Sequence, residues 1–526
     1  MGASGLDLRL GIDVGGTNTD AVVLDRTDRL LARAKVPTTP DVSTGVAGAI
    51  AAAAEQLGAG RTRITHAMLG TTHATNAILE RRSLRRVGVL RLGAPATFAV
   101  RPLFGWPEDL RAVVSAGEEI VGGGFEFDGR EIVPLDREAI SRFAGSLAGR
   151  ADAVAISSVF AAVSAEHEVA AGEIVRKELG DVHVSLSHEI GSLGLLEREN
   201  ATVLNAALTG VAGDVAGALA GSLDACGLDP VTFFAQNDGT LMDLEYALRF
   251  PVLTIGSGPA NSIRGAAYLT GSTDAIVVDV GGTSSDVGVL THGFPRESNA
   301  GVEIGGISTN FRMPDLVTIA IGGGTVVEGG GTAVRVGPRS VGYRLPDEAL
   351  VFGGATATLT DAAVAAGRLE LGDRALLSGR EDVLAEALGS AERMIADAVD
   401  RVKTSREARP LIAVGGGSVL VPDGLPGVRE VHRPDHFDVA NAIGAAIASV
   451  SGEVDRIVNL GRGGREEAIE EVVDEARARA VAAGASADEV EVVEREEVPL
   501  AYLTDPAVRV RVKAAGPLEI GRASQS

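Results

Sequence analysis

Asp13-Val-Gly-Gly-Thr-Asn-Thr-Asp20 returns almost unchanged as Asp279-Val-Gly-Gly-Thr-Ser-Ser-Asp286. Apolar, β-branched residues lead into each copy, Leu8 to Val14 in the first and Ala275 to Val280 in the second. Ala21 to Leu24 and Val287 to Leu290 follow them. Each copy therefore reads as a buried strand, a tight Gly-Gly turn and a second strand. The glycines lack a Cβ, so backbone N–H groups can close around an anion. The threonine hydroxyl is a further donor. Asp13 and Asp279 end the incoming strands, where their carboxylates can face one ion between them. Two such loops point to a duplicated domain that grips a polyphosphate and its Mg²⁺ from both sides. A lone glycine turn after a strand is usually only a hairpin. A second copy in the same context, again closed by Asp, reverses that weighting.

At 526 residues the chain has room for about three to four domains. Its formal charge of −23 argues against a nucleic-acid partner, whose surface calls for basic residues, and against an anionic membrane surface. The single cysteine, Cys226, makes no internal disulfide, and no Cys/His cluster has zinc spacing. A reducing cytoplasm is the simplest compartment. The first residues carry no basic region and no apolar leader. No uninterrupted apolar run approaches the ~20 residues of a membrane helix.

Outward from the first loop, strands are predicted at Leu8–Val14, Ala21–Asp25 and Leu30–Val36, and a helix at Val42–Leu57. Strands and helices then alternate, the pattern of an α/β fold. Helices are predicted over Leu195–Leu219, Glu381–Val402 and Val439–Val450. A charged helix at Arg465–Ala483 and two strands, near Glu489–Val493 and Val508–Val512, make a small α+β tail. The expected divisions are an N-terminal lobe over 7–190, a second lobe over 191–460 and the tail over 461–526.

Two further stretches bear on chemistry. Leu411-Ile-Ala-Val-Gly-Gly-Gly-Ser418 is a strand ending in glycines, which lets a flat ring approach the backbone. In a two-lobed nucleotide fold Gly415, Gly416, Gly417 and Ser418 would cover the adenosine; a plain strand-to-helix turn is equally served by them. Ala440-Asn-Ala-Ile-Gly-Ala-Ala446 has small residues that permit close helix packing, as between hinged lobes. The chain has no Gly-x-x-x-x-Gly-Lys-Ser/Thr loop, no Gly-x-Ser-x-Gly elbow and no His-Glu-x-x-His. With few lysines, phosphate must be held mainly by backbone N–H groups, hydroxyls and metal.

Together these motifs resemble the actin, sugar kinase and 70-kDa heat-shock ATPase superfamily, and within it the hydantoinase/oxoprolinase family of the hydantoinase A type. The family's phosphate loop ends Thr-Phe-Thr-Asp; here Asn18 replaces the aromatic. Its Gly-Thr-Thr-x-Ala-Thr-Asn-Ala block stands at Gly70 to Ala77, with His73 at the variable place. Thr202 to Ala206 and Ser257 to Ala260 match two further blocks. Its His-Thr-Ile-Gly-x-Gly-Gly-Gly-Ser block is altered to Val317–Thr325, with Val317 where the family often has His. The resemblance runs from residue 8 to about 450.

It implies two ribonuclease-H-like α/β lobes with ATP·Mg²⁺ in the cleft between them. It also implies an ATP-coupled hydrolase of a cyclic amide (hydantoin, oxoproline or a related lactam or imide). Gly15, Gly16, Thr17, Asn18, Gly281, Gly282, Thr283 and Ser284 would cradle phosphate. Asp13 and Asp279 would hold Mg²⁺, and Asp20 or Asp286 would orient the nucleophile. His73 is a further catalytic candidate at a helix N-terminus. A second hydantoinase-type subunit and an oligomeric state are the expected assembly. The same superfamily also holds small-molecule kinases and ATP-dependent carboxylase subunits. A non-catalytic, nucleotide-gated activator is the remaining alternative.

Overall fold

The computed structural model describes residues 7–38, 42–191, 193–298, 301–311, 313–329, 334–459, 465–500 and 507–519. Two sheets carry the duplication. In the first, β1 (Leu8–Val14), β2 (Asn18–Leu24) and β3 (Leu30–Pro37) form an antiparallel meander. Helix α1 (Val42–Leu57) crosses back, and β4 (Ile64–Thr71) pairs parallel to β1. Helix α2 (His73–Glu80) follows it directly. The long helix α3 (Leu195–Ala225) leads to β5 (Val231–Ala235), parallel to β4, and β6 (Thr240–Asp243) turns back beside β5. Helix α4 (Ser257–Thr270) then carries the chain to the second sheet.

There the pattern repeats. Strands β7 (Ala275–Val280), β8 (Ser285–Thr291) and β9 (Phe294–Pro295) are antiparallel. After helix α5 (Glu381–Val402), β10 (Arg409–Val414) pairs parallel to β7, and β11 (Val428–His432) parallel to β10. The orders β3-β2-β1-β4-β5 and β9-β8-β7-β10-β11 are the same topology. That is the ribonuclease-H-like lobe, twice, and the two lobes make an actin-like ATPase fold.

The sheets depart from the boundaries read from the sequence. Helix α6 (Ala440–Ile447) stops before Val450, and an eleven-residue strand, β12 (Ser449–Asn459), starts two residues later. With β13 (Glu491–Leu500) and β14 (Ala507–Gly516) it continues the first sheet in the order β13-β14-β12-β6-β5. The strands of the tail therefore extend the first lobe's sheet. The free edge of β6 takes up β12, and helix α7 (Arg465–Ala482) packs Ile469, Val472 and Ala476 onto β12 and β14. Lys513 and Arg511 of β14 reach Asp238, at the β5–β6 turn, and Glu297, beyond β9 of the other lobe. The first lobe also carries a four-stranded parallel sheet of its own, ordered 115–122, 87–94, 153–158 and 183–186. Part of α3 is long and apolar enough to cross a membrane by composition. Ala201 to Leu208 of that helix instead lie fully buried in the first lobe's core.

The lobes meet where α4 crosses α6. Gly444 lies directly on the Asn261 backbone, and a Cβ there would overlap the Asn261 carbonyl. Gly265 faces the Ala440 carbonyl in the same way. The small-residue stripe thus brings two helix backbones together. Gly444→Ala is expected to cost about 1–3 kcal/mol through overpacking and to lower the melting temperature. Gly217→Ala, in open space on α3, should melt at or above wild type. Equal melting of both variants would reject the close crossing.

Candidate active site

Each glycine loop is a closed turn at the end of a lobe's central strand. Gly15 N donates to Asn18 O at 3.0 Å, and Gly281 N donates to Ser284 O at 2.9 Å. In register, Asp13 faces Asp20 across the first hairpin and Asp279 faces Asp286 across the second. The two loops touch. A Cβ at Gly282 would come 2.5 Å from Thr17 Oγ1. A third glycine segment lies on the second loop, where Gly323 N and Gly324 N donate to the carbonyls of Gly281 and Gly282 at 3.0 and 2.7 Å. This segment belongs to the altered block at Val317–Thr325.

Asp13 and Asp279 converge. Asn441, at the start of α6, places its Nδ2 3.4 Å from Oδ2 of each. Ser262 of α4 donates to Asp279 or to Asn441 Oδ1, which lies 2.8 Å away. Withdrawal from water pushes the Asp13 carboxyl up to about 7, and the charges of Asp20 and Asp279 push the same way. Asp279 is raised too, burial outweighing its bonds from Ser262 and Asn441. Asp20 rises to about 6 through burial, with Lys35 pulling it down; the two groups are 2.6 Å apart. Asp286 rises to about 6 through burial, against a bond from Thr318. Four carboxyls thus gather with little compensating positive charge, an arrangement that suits a cation.

Mg²⁺ fits this set. Oδ1 of Asp13 and both amide atoms of fully buried Asn261 have no hydrogen-bond partner. They lie together around Gly70, where a Cβ would come 2.6 Å from Asp13 Oδ1. Among the described residues no three His, Cys, Asp or Glu side chains form a metal cluster. Mg²⁺ does not require one, since it keeps several waters and takes one or two carboxylates beside phosphate oxygens.

The Gly415–Ser418 loop is brought to the second phosphate loop. Gly417 N donates to Val280 O at 2.8 Å. Gly415 has φ +82° and lies against Asp279 Oδ1, whereas Gly416 faces open space. Ser418 is fully buried, so its hydroxyl does not face the cleft. His73 begins α2, its Nδ1 2.6 Å from Thr71 Oγ1, and burial lowers its pKa. It lines a cavity of about 20 Å³ with Leu208 and Val211, not the loops. A larger cavity of about 570 Å³ opens between Gln236, Phe311 and Arg511, and none of the loop residues lines it. Sequence reasoning missed Asn441, Asn261, Ser262 and Lys35. Only Lys35 had a signal: counting the β2–β3 meander in register places it opposite Asp20.

The duplicated lobes thus bring two touching glycine loops to one shared acidic centre. The chain belongs to the hydantoinase/oxoprolinase family. The model of that family's N-terminal region matches residues 9–179, and the hydantoinase/oxoprolinase model matches 198–401. The chain is 29% identical to caprolactamase subunit alpha of Pseudomonas jessenii over 83% of its own length and 65% of that protein. It is also 29% identical to the acetophenone carboxylase gamma subunit of Aromatoleum aromaticum, over 68% of itself and 53% of the relative. It thus spans little more than half to two thirds of these curated relatives. The crystal structure of ATP-dependent caprolactamase from Pseudomonas jessenii shares the fold, with a TM-score of 0.77 at 22% identity, covering 98% of this chain and 88% of that one. Nucleotide-free acetone carboxylase does so with a TM-score of 0.72 at 17% identity and the same coverages.

Two expectations follow. The folded protein holds the Asp13 proton more tightly than the unfolded chain does. That contribution to stability is fully present below about pH 4 and is lost as pH rises through about 7. Without Mg²⁺, Asp13→Asn should therefore melt above wild type at pH 8, with an advantage that shrinks towards pH 5; a gap constant with pH rejects the assignment. The second concerns the glycines. Gly415→Val should destabilise the protein through its φ and its clash with Asp279. Gly416→Val should leave melting unchanged and weaken ATP binding in calorimetry. Unchanged affinity in Gly416→Val removes the loop from the adenosine site.

Proposed function

We propose that this chain binds ATP·Mg²⁺ between its lobes and uses it to open a cyclic amide, either alone or as the nucleotide-binding subunit of a larger hydrolase. The observation that carries this reading is the meeting of the two loops, Thr17 on Gly282, with both aspartates at Asn441. Gly15 to Asn18 and Gly281 to Ser284 would surround the phosphates with N–H and hydroxyl donors. Asp13 and Asp279 would hold the metal, largely through its waters. When bound, Mg²⁺ would offset the phosphate charge during transfer. Family membership and the relatives' names support the chemistry; they do not fix the substrate.

An unstrained amide is a poor electrophile. Its oxygen would attack the γ-phosphorus, breaking the bond to the β-phosphate and releasing ADP. Water would then add to the activated carbon and the ring C–N bond would break, leaving an acyl phosphate that a second water would split into carboxylate and phosphate. The sum is amide, ATP and two waters giving amino acid, ADP and phosphate. Asp20 or Asp286 would orient the attacking oxygen or water. A second reading is a carboxylase subunit, favoured by the acetophenone carboxylase relative and the acetone carboxylase fold. It would use the same first step, on a ketone's enolate oxygen. The relatives are named as subunits, which supports a separately encoded partner.

The test is to incubate the protein, with and without its genomic neighbour, with hydantoin, oxoproline and simple lactams. Ring-opened product and phosphate should appear together and only with ATP. Asp13→Ala and Asp279→Ala should each lower turnover by about 100-fold or more, the scale of losing one preorganised charge-stabilising group. Ring opening at full rate without nucleotide refutes ATP coupling. A phosphorylated, unopened product moves the assignment to a kinase, and bicarbonate-dependent consumption of a ketone moves it to a carboxylase.

A further inference from the structure

We propose that Asn441 is a positioning residue that holds Asp13 and Asp279 at one point, so that a single hydrated cation can engage both lobes. The proposal rests on the nucleotide–metal reading of the cleft. Three contacts carry it. The Nδ2 of Asn441 has two hydrogens and two acceptors, Oδ2 of Asp13 and Oδ2 of Asp279, each at 3.4 Å. One side chain thus serves a carboxylate from each sheet. Ser262 Oγ lies 2.8 Å from Asn441 Oδ1. Ionised carboxylates only accept, so it is they that turn the Nδ2 end of the amide toward Asp13 and Asp279 and leave Oδ1 for Ser262. Finally, Asn441 and Ser262 sit on α6 and α4, whose backbones touch one turn away, at Gly444 and Asn261. The bridge is therefore set in the tightest crossing between the lobes.

Two carboxylates aimed at one point repel each other before a cation arrives. A neutral double donor offsets that repulsion without adding a fixed positive charge that would exclude the metal. Lys35 cannot take this part. It is committed to Asp20, on the far strand of the first hairpin. Nor can Asn261, whose amide stands beside Asp13 Oδ1 and makes no hydrogen bond. Removing Asn441 would let the carboxylates diverge, and the cation would meet one of them instead of two.

Binding of a fluorescent ADP analogue to the full chain is followed while Mg²⁺ is titrated. Asn441→Leu keeps the shape and deletes the donors; Asn441→Ala deletes both. In each, the Mg²⁺ concentration for half-maximal nucleotide binding should rise by about 10- to 100-fold, the usual cost of losing a group that orients a metal ligand. Ser262→Ala, which frees the Asn441 amide to turn, should shift it the same way by less. In EDTA, Asn441→Leu should still unfold cooperatively, melting below wild type by the lost offset of the carboxylate repulsion. An unshifted Mg²⁺ requirement in a folded Asn441→Leu or Asn441→Ala overturns the proposal and leaves the metal reading standing. A shift in Asn441→Ala that the shape-keeping Asn441→Leu lacks overturns it in favour of packing. Wild-type nucleotide binding that ignores EDTA overturns the metal reading, and this inference with it.

Discussion

Asp13 and Asp279 end equivalent strands of different sheets, yet both lie within 3.4 Å of the same amide nitrogen. Unscreened like charges do not approach in a protein interior without help, because the low dielectric magnifies their repulsion. Much of the surrounding architecture serves that approach. Gly70 stands beside Asp13 and Gly415 beside Asp279, each where a Cβ would strike the carboxylate. The small faces of α4 and α6 let their backbones touch. Burial raises the pKa of both Asp13 and Asp279, and at Asp13 the charges of Asp20 and Asp279 add to it.

The duplication could be read from the sequence because it is local. Strand, Gly-Gly turn and strand follow one another within seventeen residues, from Leu8 to Leu24, and need no tertiary contact to be recognised. The repeat at Ala275–Leu290 then implied a second lobe of the same kind. Asn441 was hidden for the opposite reason. It is one polar residue in a helix of small apolar ones, and only the crossing of α6 with α4 turns it to the aspartates. The three consecutive glycines at 415–417 posed a related difficulty. Composition does not tell which one adopts φ +82°, although that decides which can be substituted without strain. The helix assigned to Val439–Val450 ran three residues past its end, because Ala and Val suit either state and the pairing of Thr240 and Leu241 with Ser449 and Val450 is not local.

Relatives that act on lactams and relatives that act on ketones share this scaffold. Under the proposed mechanism, the common problem would be an oxygen that reacts poorly until it is phosphorylated. A cleft that fixes the triphosphate and leaves the acceptor site to other residues can serve both. That division also explains why loops, aspartates and helix crossing are readable here while the substrate is not.

The first sheet is assembled from segments far apart in the sequence. One flank, β1 to β4, is synthesised before β12 and β14, which cover the edge of β6. During translation that edge stays open until residues beyond 449 emerge. An unpaired strand edge is a template for adventitious pairing. Late closure by Lys513 on Asp238 and Glu297 would end that exposure and join the lobes in one event. The order of synthesis therefore makes the pairing of β12 and β14 the step at which the sheet is either sealed or left prone to aggregate.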